Sequence, residues 1–397
     1  MKKISRDDKE KTLKYLQWIF WGILLTGAVV RLFGLGYFPG KGGLNQDEAY
    51  TIYDAWCLAN YGMDSREYSM PVYTYAWGKY GGQSVFQLYA ILPLIKLFGA
   101  GNYFWARLPQ ALLGIFSLPV IYGIGKRLHD EKYGLILMAA LAICPWHIMQ
   151  SRWALDCNYF PGLLLIAVYF AIYAQEKRSM VLLFSLFFGF SLYVYASPWI
   201  IMPFLFAACL LLSSIREKKL IMDIYFWVAI LIVVIMAIPL LLYVMVNADI
   251  ISEIKTPFFS VPKGSVFRAN ELSFHIKDLC RSFKILLKLL FRQSDGLLWN
   301  AAPHYGLYYK FSLVFGIPGM IYSLWVLKQR GKNISMEWIM WIWFILAVLR
   351  GCLSEVNVNQ INIIHIPIVY FIARGCDVSV GRNRPFRVGK KQPISAG

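Results

Sequence analysis

Charge is scarce in this sequence. Only 16% of its 397 residues are Asp, Glu, Lys or Arg, against about a quarter in an ordinary soluble domain. Acids are the scarcer sign, 22 against 40 bases. The five histidines show no HxxH or HxxxH spacing, and the seven cysteines (Cys57, Cys144, Cys157, Cys209, Cys280, Cys352 and Cys376) are scattered with no CxxC. Those absences exclude a histidine or cysteine metal cage and leave no disulfide framework to read. Apolar sequence stands in place of charge: 58% of residues are hydrophobic and 17% aromatic. It is gathered into blocks of roughly 17–25 residues between short charged clusters, the pattern of an all-α polytopic membrane protein.

Ten apolar runs are expected to span, at 15–37, 107–125, 133–150, 159–174, 180–197, 198–214, 221–246, 311–328, 335–350 and 361–374. An eleventh stretch, "GGQSVFQLYAILPLIKLFGAG" (81–101), decides the parity of everything after it. The basic clusters at 125–134, 175–179, 213–223, 328–333 and 382–391 all fall on the side of the basic N-terminus only if 81–101 does not cross. Short basic loops belong in the cytoplasm, and 81–101 contains Gln83, Gln87, Pro93 and Lys96. It is therefore expected as an interfacial or re-entrant helix. Residues 1–14 are then a cytoplasmic segment before an uncleaved first helix, 15–375 a transmembrane domain, and 376–397 a basic cytoplasmic tail without structure. The net charge of +18 follows from these clusters rather than from a nucleic-acid surface. Two large loops, 38–106 and 247–310, emerge on the outer face and are expected to carry interfacial helices.

The outer loops hold the chemistry-bearing residues. In "LNQDEAYTIYDAW" (44–56) the adjacent Asp47 and Glu48 have two readings that can coexist. One is a general base toward an acceptor hydroxyl; the other is an acidic helix start with Asp47 as N-cap. Adjacent carboxylates also suit a divalent cation. Lys79, on a Gly-rich turn, is a candidate phosphate ligand or a lysine snorkelling to the interface. Arg107, at the outer mouth of the second span, calls for an acidic residue or a phosphate. Arg152 and Asp156 lie four apart in "SRWALDCN", either as a helical ion pair or as a cation and second carboxylate facing the first loop. Lys277, Arg281, Lys284, Lys288 and Arg292 step by three and four through "LSFHIKDLCRSFKILLKLLFRQ", opposite an apolar face. That is a basic helix resting on the membrane, attractive to anionic headgroups or an anionic lipid-linked substrate. Asp295, Asn300, His304 and Tyr305 follow it, and Asn362 sits in an amide-rich mouth of the last span; together they are candidates for a sugar or acceptor pocket.

The ordered set "NQDEAYTIYDA", "YFWARLPQALLGIFSLPVIYGIGKRL", "SRWALDCN", "SDGLLWNAAPHYGLYY" and "NVNQINIIHIPIVYFIARG" resembles the membrane-embedded C-type glycosyltransferases. It is most similar to the family 39-like bacterial relatives of the dolichyl-phosphate-mannose protein mannosyltransferases, over residues 15–375. The resemblance implies an inverting transfer of a sugar from a polyprenyl-phosphate donor to a hydroxyl acceptor (protein, glycan or lipid) at the extracytoplasmic face of the plasma membrane. It implies Asp47 as the acidic residue that activates the acceptor, with Glu48 beside it and Asp156 as a second acid in the same cavity. Lys79, Arg107 and Arg152 are the candidates for the donor phosphate. A transporter or lipid flippase would instead place ionisable residues within the spans or show internal repeats. A non-catalytic accessory subunit is the third possibility.

Overall fold

Each of the ten apolar runs contains a helix, but several of those helices, among them the ones in the 133–150, 180–197 and 198–214 runs, are shorter than their runs. The computed structural model describes residues 6–39, 43–75, 82–215, 222–264, 271–297, 300–301, 304–329 and 336–381. Along the chain run α1 (Arg6–Leu32), α2 (Gln46–Tyr61), α3 (Phe86–Phe98), α4 (Tyr103–Leu128), α5 (Glu131–Ile143), α6 (Pro145–Gln150) and α7 (Asp156–Tyr173). They are followed by α8 (Met180–Leu192), α9 (Met202–Ser213), α10 (Ile224–Asn247), α11 (Ile276–Arg292), α12 (Leu313–Gln329), α13 (Trp338–Cys352) and α14 (His365–Ser379). Among the described residues five helices are long and apolar enough to cross a membrane, those of α1, α4, α7, α10 and α12. The helices α5, α8, α9, α13 and α14 have 12 to 15 residues, about 18–23 Å of rise. The expected run 133–150 is cut at Pro145, which cannot donate to the preceding turn, so α5 ends and α6 begins there. Pro198 lies in the irregular stretch between α8 and α9. At the end of the chain α14 continues through Ser379, so residues 376–379 belong to the helix rather than to the tail.

Apolar residues sort by position in the bundle. Almost every residue of α7 is buried, as expected for a helix that is hydrophobic all round, and it packs against α4, α8 and α9. By contrast α1, α10 and α12 turn large apolar side chains outward, among them Trp18, Trp21, Trp227, Leu231, Ile321 and Trp325. An apolar belt of that extent is unsustainable in water and is what a lipid-facing surface requires. The chain is an integral membrane protein. The α12–α14 contact is glycine-mediated: a Cβ at Gly319 would lie 2.6 Å from the Gly375 nitrogen, so only small residues allow this approach. At the opposite end of the bundle from the large loops, the buried Glu337 carboxylate accepts from Ser323 Oγ (2.8 Å) and Tyr370 Oη (2.7 Å). His129 and Arg374 stand 3.7 and 3.9 Å from it.

Two large loops gather at one end. The first holds α2, a short antiparallel pair β1 (Tyr73–Thr74) and β2 (Gln83–Ser84), and α3. As expected for 81–101, α3 is a separate 13-residue helix; its Leu88, Ile91 and Ile95 are buried in a cluster with Ile52 and Leu58 of α2 and Ala106 of α4. The second holds β3 (Ile254–Lys255), β4 (Ser260–Val261) and α11. Backbone bonds join the loops: Val72 N–H donates to Ser260 O at 3.0 Å and Ser260 N–H to Met70 O at 3.4 Å.

Candidate active site

The N-terminus of α2 is built by a capping box, with Asn45 rather than Asp47 as the cap. Asn45 Oδ1 accepts from Asp47 N–H at 2.9 Å, and Asn45 N–H donates to Glu48 Oε2 at 3.1 Å. This reciprocal arrangement satisfies donors that a helix start leaves open. It also fixes the two carboxylates in opposite surroundings: Glu48 is fully buried, whereas Asp47 is exposed.

Glu48 belongs to the frame of the site. Arg107 grips it with two parallel bonds, Nε to Oε1 and Nη2 to Oε2, both 2.9 Å, and Ala154 N–H donates to Oε1 at 2.9 Å. Its four acceptor positions are filled, which corrects its assignment as a catalytic group. The expectation for Arg107 is corrected in the same way. Its remaining N–H groups donate to the carbonyls of Leu35 (3.2 Å), Pro39 (3.3 Å) and Gly43 (3.0 Å). A guanidinium has five donors, so none is left for a phosphate, and the Trp153 ring lies 5.1 Å from its centre.

Arg152 is also internal. It donates to the carbonyls of Val30 (2.7 Å), Arg31 (3.3 Å), Phe33 (2.8 Å) and Phe38 (3.1 Å), capping the last turn of α1, whose carbonyls lack intrahelical partners. This corrects both the phosphate role and the helical pairing with Asp156. Arg31, which sequence reasoning did not single out, is wholly buried between α1 and α5. It donates to Ser151 Oγ, to the carbonyls of Gly27, Ala142 and Leu141, and to His147 Nδ1. The only sequence signal for it is a lone arginine inside the first apolar run. Arg350, also missed, closes α13 and donates to Ser197 O (2.6 Å) and Ser354 Oγ (2.7 Å).

The dipeptide Gln83–Ser84 bonds to the backbone carbonyl of Asp47 and to the carboxylate of Asp156. Gln83 Nε2 donates to the carbonyl of Asp47 at 3.4 Å, and Thr51, one turn along α2, donates to Gln83 Oε1 at 2.8 Å. The next residue, Ser84, donates its N–H to Asp156 Oδ2 at 3.2 Å. Asp156 opens α7, with Oδ1 accepting from Cys157 N–H at 2.6 Å, where the helix dipole favours an anion. Beyond Ser84, Val85 and Phe86 form one wall of an open groove of about 640 Å3. Its other walls are apolar side chains of Pro71, Tyr89, Phe190, Met236 and Phe259.

The remaining candidates separate. Asn362 is buried: its amide donates to Cys157 O (3.0 Å) and Asn158 Oδ1 (3.1 Å) and accepts from Trp146 Nε1 (2.9 Å). Those bonds pin the turn that leads into α14 to α7 and α6 and correct the placement of Asn362 in a ligand pocket. Asp295 accepts from Asn300 Nδ2 (2.6 Å) and Val358 N–H (3.0 Å), tying two loops together. His304 and Tyr305 are exposed. Lys79 lies outside the described residues. Among the described residues no group of three His, Cys, Asp or Glu could hold a metal, and all seven cysteines are free thiols.

Residues 84–243, which include Asp156 but not Asp47, match the family model described as dolichyl-phosphate-mannose-protein mannosyltransferase. No curated protein matches the sequence. The chain is similar to the solved structure of ArnT from Cupriavidus metallidurans in the apo state, with TM-score 0.60 and 14% identity over 94% of this chain and 61% of that one. For the same protein bound to undecaprenyl phosphate the values are 0.60 and 14%, over 92% and 60%. The archaeal oligosaccharyltransferase AglB from Archaeoglobus fulgidus, in complex with an inhibitory peptide and a dolichol-phosphate, gives 0.54 and 13% over 93% of this chain and 50% of that one. The chain thus spans about three fifths of the length of ArnT and half that of AglB. At these identities the likeness is one of fold: the bundle has the fold of ArnT and AglB, and residues 84–243 match the mannosyltransferase family model.

Proposed function

We propose that this protein is an inverting glycosyltransferase that moves a sugar from a polyprenyl-phosphate donor to a hydroxyl acceptor at the extracytoplasmic face of the plasma membrane. The observation that carries this reading is the Asp156 carboxylate on Ser84 N–H, next to Gln83 whose side chain holds the backbone carbonyl of Asp47, beside an apolar groove that starts at Val85. A polyprenyl chain needs an apolar channel, and a hydroxyl nucleophile needs a base within reach of its proton. The groove and the Asp156 carboxylate lie within a few residues of each other, and the N-terminus of α2 that bears Asp47 is tied to Gln83, which supports this reading. The undecaprenyl phosphate bound to ArnT and the dolichol-phosphate bound to AglB are ligands of the chemistry the groove would take.

In the proposed reaction Asp47 accepts the proton of the acceptor hydroxyl as its oxygen bonds to the anomeric carbon. The bond from that carbon to the phosphate oxygen breaks, and the polyprenyl phosphate leaves with the electron pair, inverting the anomeric centre. Asp156, held by Ser84, orients the acceptor or the sugar. Lys79 is the cation proposed for the donor phosphate. Asp295, Asn300, His304 and Tyr305 are proposed for the acceptor side. Ten spans, a transmembrane unit over 15–375 and both termini in the cytoplasm complete the reading; the distribution of basic clusters supports it.

The test is reconstitution of the purified chain with a panel of polyprenyl-phosphate hexoses and pentoses and a mixed acceptor fraction from the envelope. Release of free polyprenyl phosphate dependent on both donor and acceptor is the expected result. A donor that stays intact with every sugar and acceptor would contradict the proposed transfer.

A further inference from the structure

The helix α11 is anchored to the bundle on one side only. Ser273 N–H donates to Leu353 O at 2.9 Å and Ser282 Oγ to Ser354 O at 3.1 Å. Leu286 and Leu289 are buried, and a Cβ at Gly351 would stand 3.1 Å from Leu286 Cδ2. At its end Gln293, in the left-handed region, donates from its side chain to Tyr309 O and accepts from Tyr308 N–H, both at 3.0 Å. These contacts fix α11 across the last turn of α13, where an apolar helix reaches the boundary of its apolar surroundings.

The rest of its circumference forms two strips, because residues three and four apart share a helix face. One strip is Lys277, Arg281, Lys284, Lys288 and Arg292, all exposed. Among the described residues none of the five forms an ion pair with a carboxylate. The neighbouring strip is Ile276, Phe283, Leu287 and Phe291, also exposed, with Ile276 at 72% and Phe291 at 60%. A soluble polyanion would answer the bases and leave this apolar strip in water. A bilayer surface answers both, with acyl chains under one strip and phosphates beside the other.

We infer that α11 is a docking surface for acidic phospholipids: it seats Phe283, Leu287 and Phe291 in the acyl boundary of the outer leaflet and gathers phospholipid phosphates along Lys277–Arg292. This goes beyond the proposed transfer reaction and needs only the outward placement of the 247–310 loop from it. Clustered bases next to a membrane surface attract anionic headgroups, and salt screens that attraction.

The test uses the full chain in nanodiscs of phosphatidylcholine with traces of spin-labelled phosphatidylglycerol or spin-labelled phosphatidylcholine, reading the motionally restricted fraction of each lipid. The wild type is expected to prefer phosphatidylglycerol by about threefold at low salt and to lose the preference as salt is raised. The variant K277Q/R281Q/K284Q/K288Q/R292Q is expected to show equal restriction of the two lipids. A wild-type measurement without preference, or a preference insensitive to salt, would overturn the inference, even if the variant failed to fold. A folded variant that retains phosphatidylglycerol selectivity but loses retention of polyprenyl phosphate would also overturn it and assign the strip to the substrate. Neither readout depends on sugar transfer, so failure here is distinguishable from failure of the proposed reaction.

Discussion

Arg107 holds Glu48 through two parallel 2.9 Å bonds, and neither side chain reaches the surface. The pair joins the start of α2 to the start of α4, with Ala154 as a third point of attachment. It therefore sets where Asp47 and the 153–158 turn stand relative to each other. Removing one partner of a buried pair leaves the other charge uncompensated, typically about 3–5 kcal/mol. Glu48→Gln is expected to lower the thermal unfolding midpoint of the detergent-purified protein markedly. Asp47→Asn is expected to leave that midpoint within a degree or two, because its carboxylate stands exposed. A reversal of that order would show that the frame is misassigned.

Arg152 makes four bonds to carbonyls of the last turn of α1 and the segment that follows it. Arg152→Gln is expected to lower thermal stability while leaving the KM for the donor within about twofold, since single surface-independent structural losses act on folding rather than binding. A large rise in donor KM at unchanged stability would return Arg152 to the phosphate.

Asp54 sits on α2 nearly buried, accepting from Ser65 N–H at 3.0 Å. Burial raises its pKa to about 6, above the unfolded value near 4. A raised carboxyl pKa favours the protonated native state. Its stabilising contribution is full below about pH 4 and is lost as pH rises through about 6. Asp54→Asn is expected to match the wild type at pH 4 and to be the more stable protein at pH 7.5, as read by hydrogen exchange over residues 50–68. Equal protection at both pH values would contradict the burial effect.

The groove offers a steric test. Ala90 is one of its lining residues, and Ala90→Phe adds a ring where the polyprenyl chain is proposed to run. The variant is expected to lose transfer from long-chain donors by at least about tenfold, as displaced apolar contact costs affinity. Transfer from a short-chain water-soluble donor should change little. Equal losses for both donors would place the chain elsewhere.

How far the sequence foretold these arrangements depends on range. Helix positions were legible, since each apolar run contains a helix and the 81–101 stretch forms the short α3 set against α2 and α4. Helix lengths were not, because Pro145 interrupts a run whose hydrophobicity continues across it, and the runs on either side of Pro198 extend beyond the ends of α8 and α9. The asparagine three residues before Glu48 was a readable capping box, and it would have separated the two carboxylates. The partner of Glu48 lies 59 residues away, and pairing at that distance leaves no local pattern. The same holds for Arg31, Arg152 and Asn362: arginines and amides near lipid suggest ligands by type, whereas the fold uses them to satisfy carbonyls at helix ends. Asp156 meets the first loop through its carboxylate on Ser84 N–H, whereas Asp47 does so through its backbone carbonyl on Gln83, and neither link leaves a local pattern in the sequence.

The most direct test of the central claim is the rate of sugar transfer by Asp47→Asn under single-turnover conditions, in protein shown to be folded by its thermal midpoint. With Asp47 as the base, the variant should transfer at least about a hundredfold more slowly than the wild type while retaining donor binding. Transfer at the wild-type rate by the folded variant would contradict the assignment.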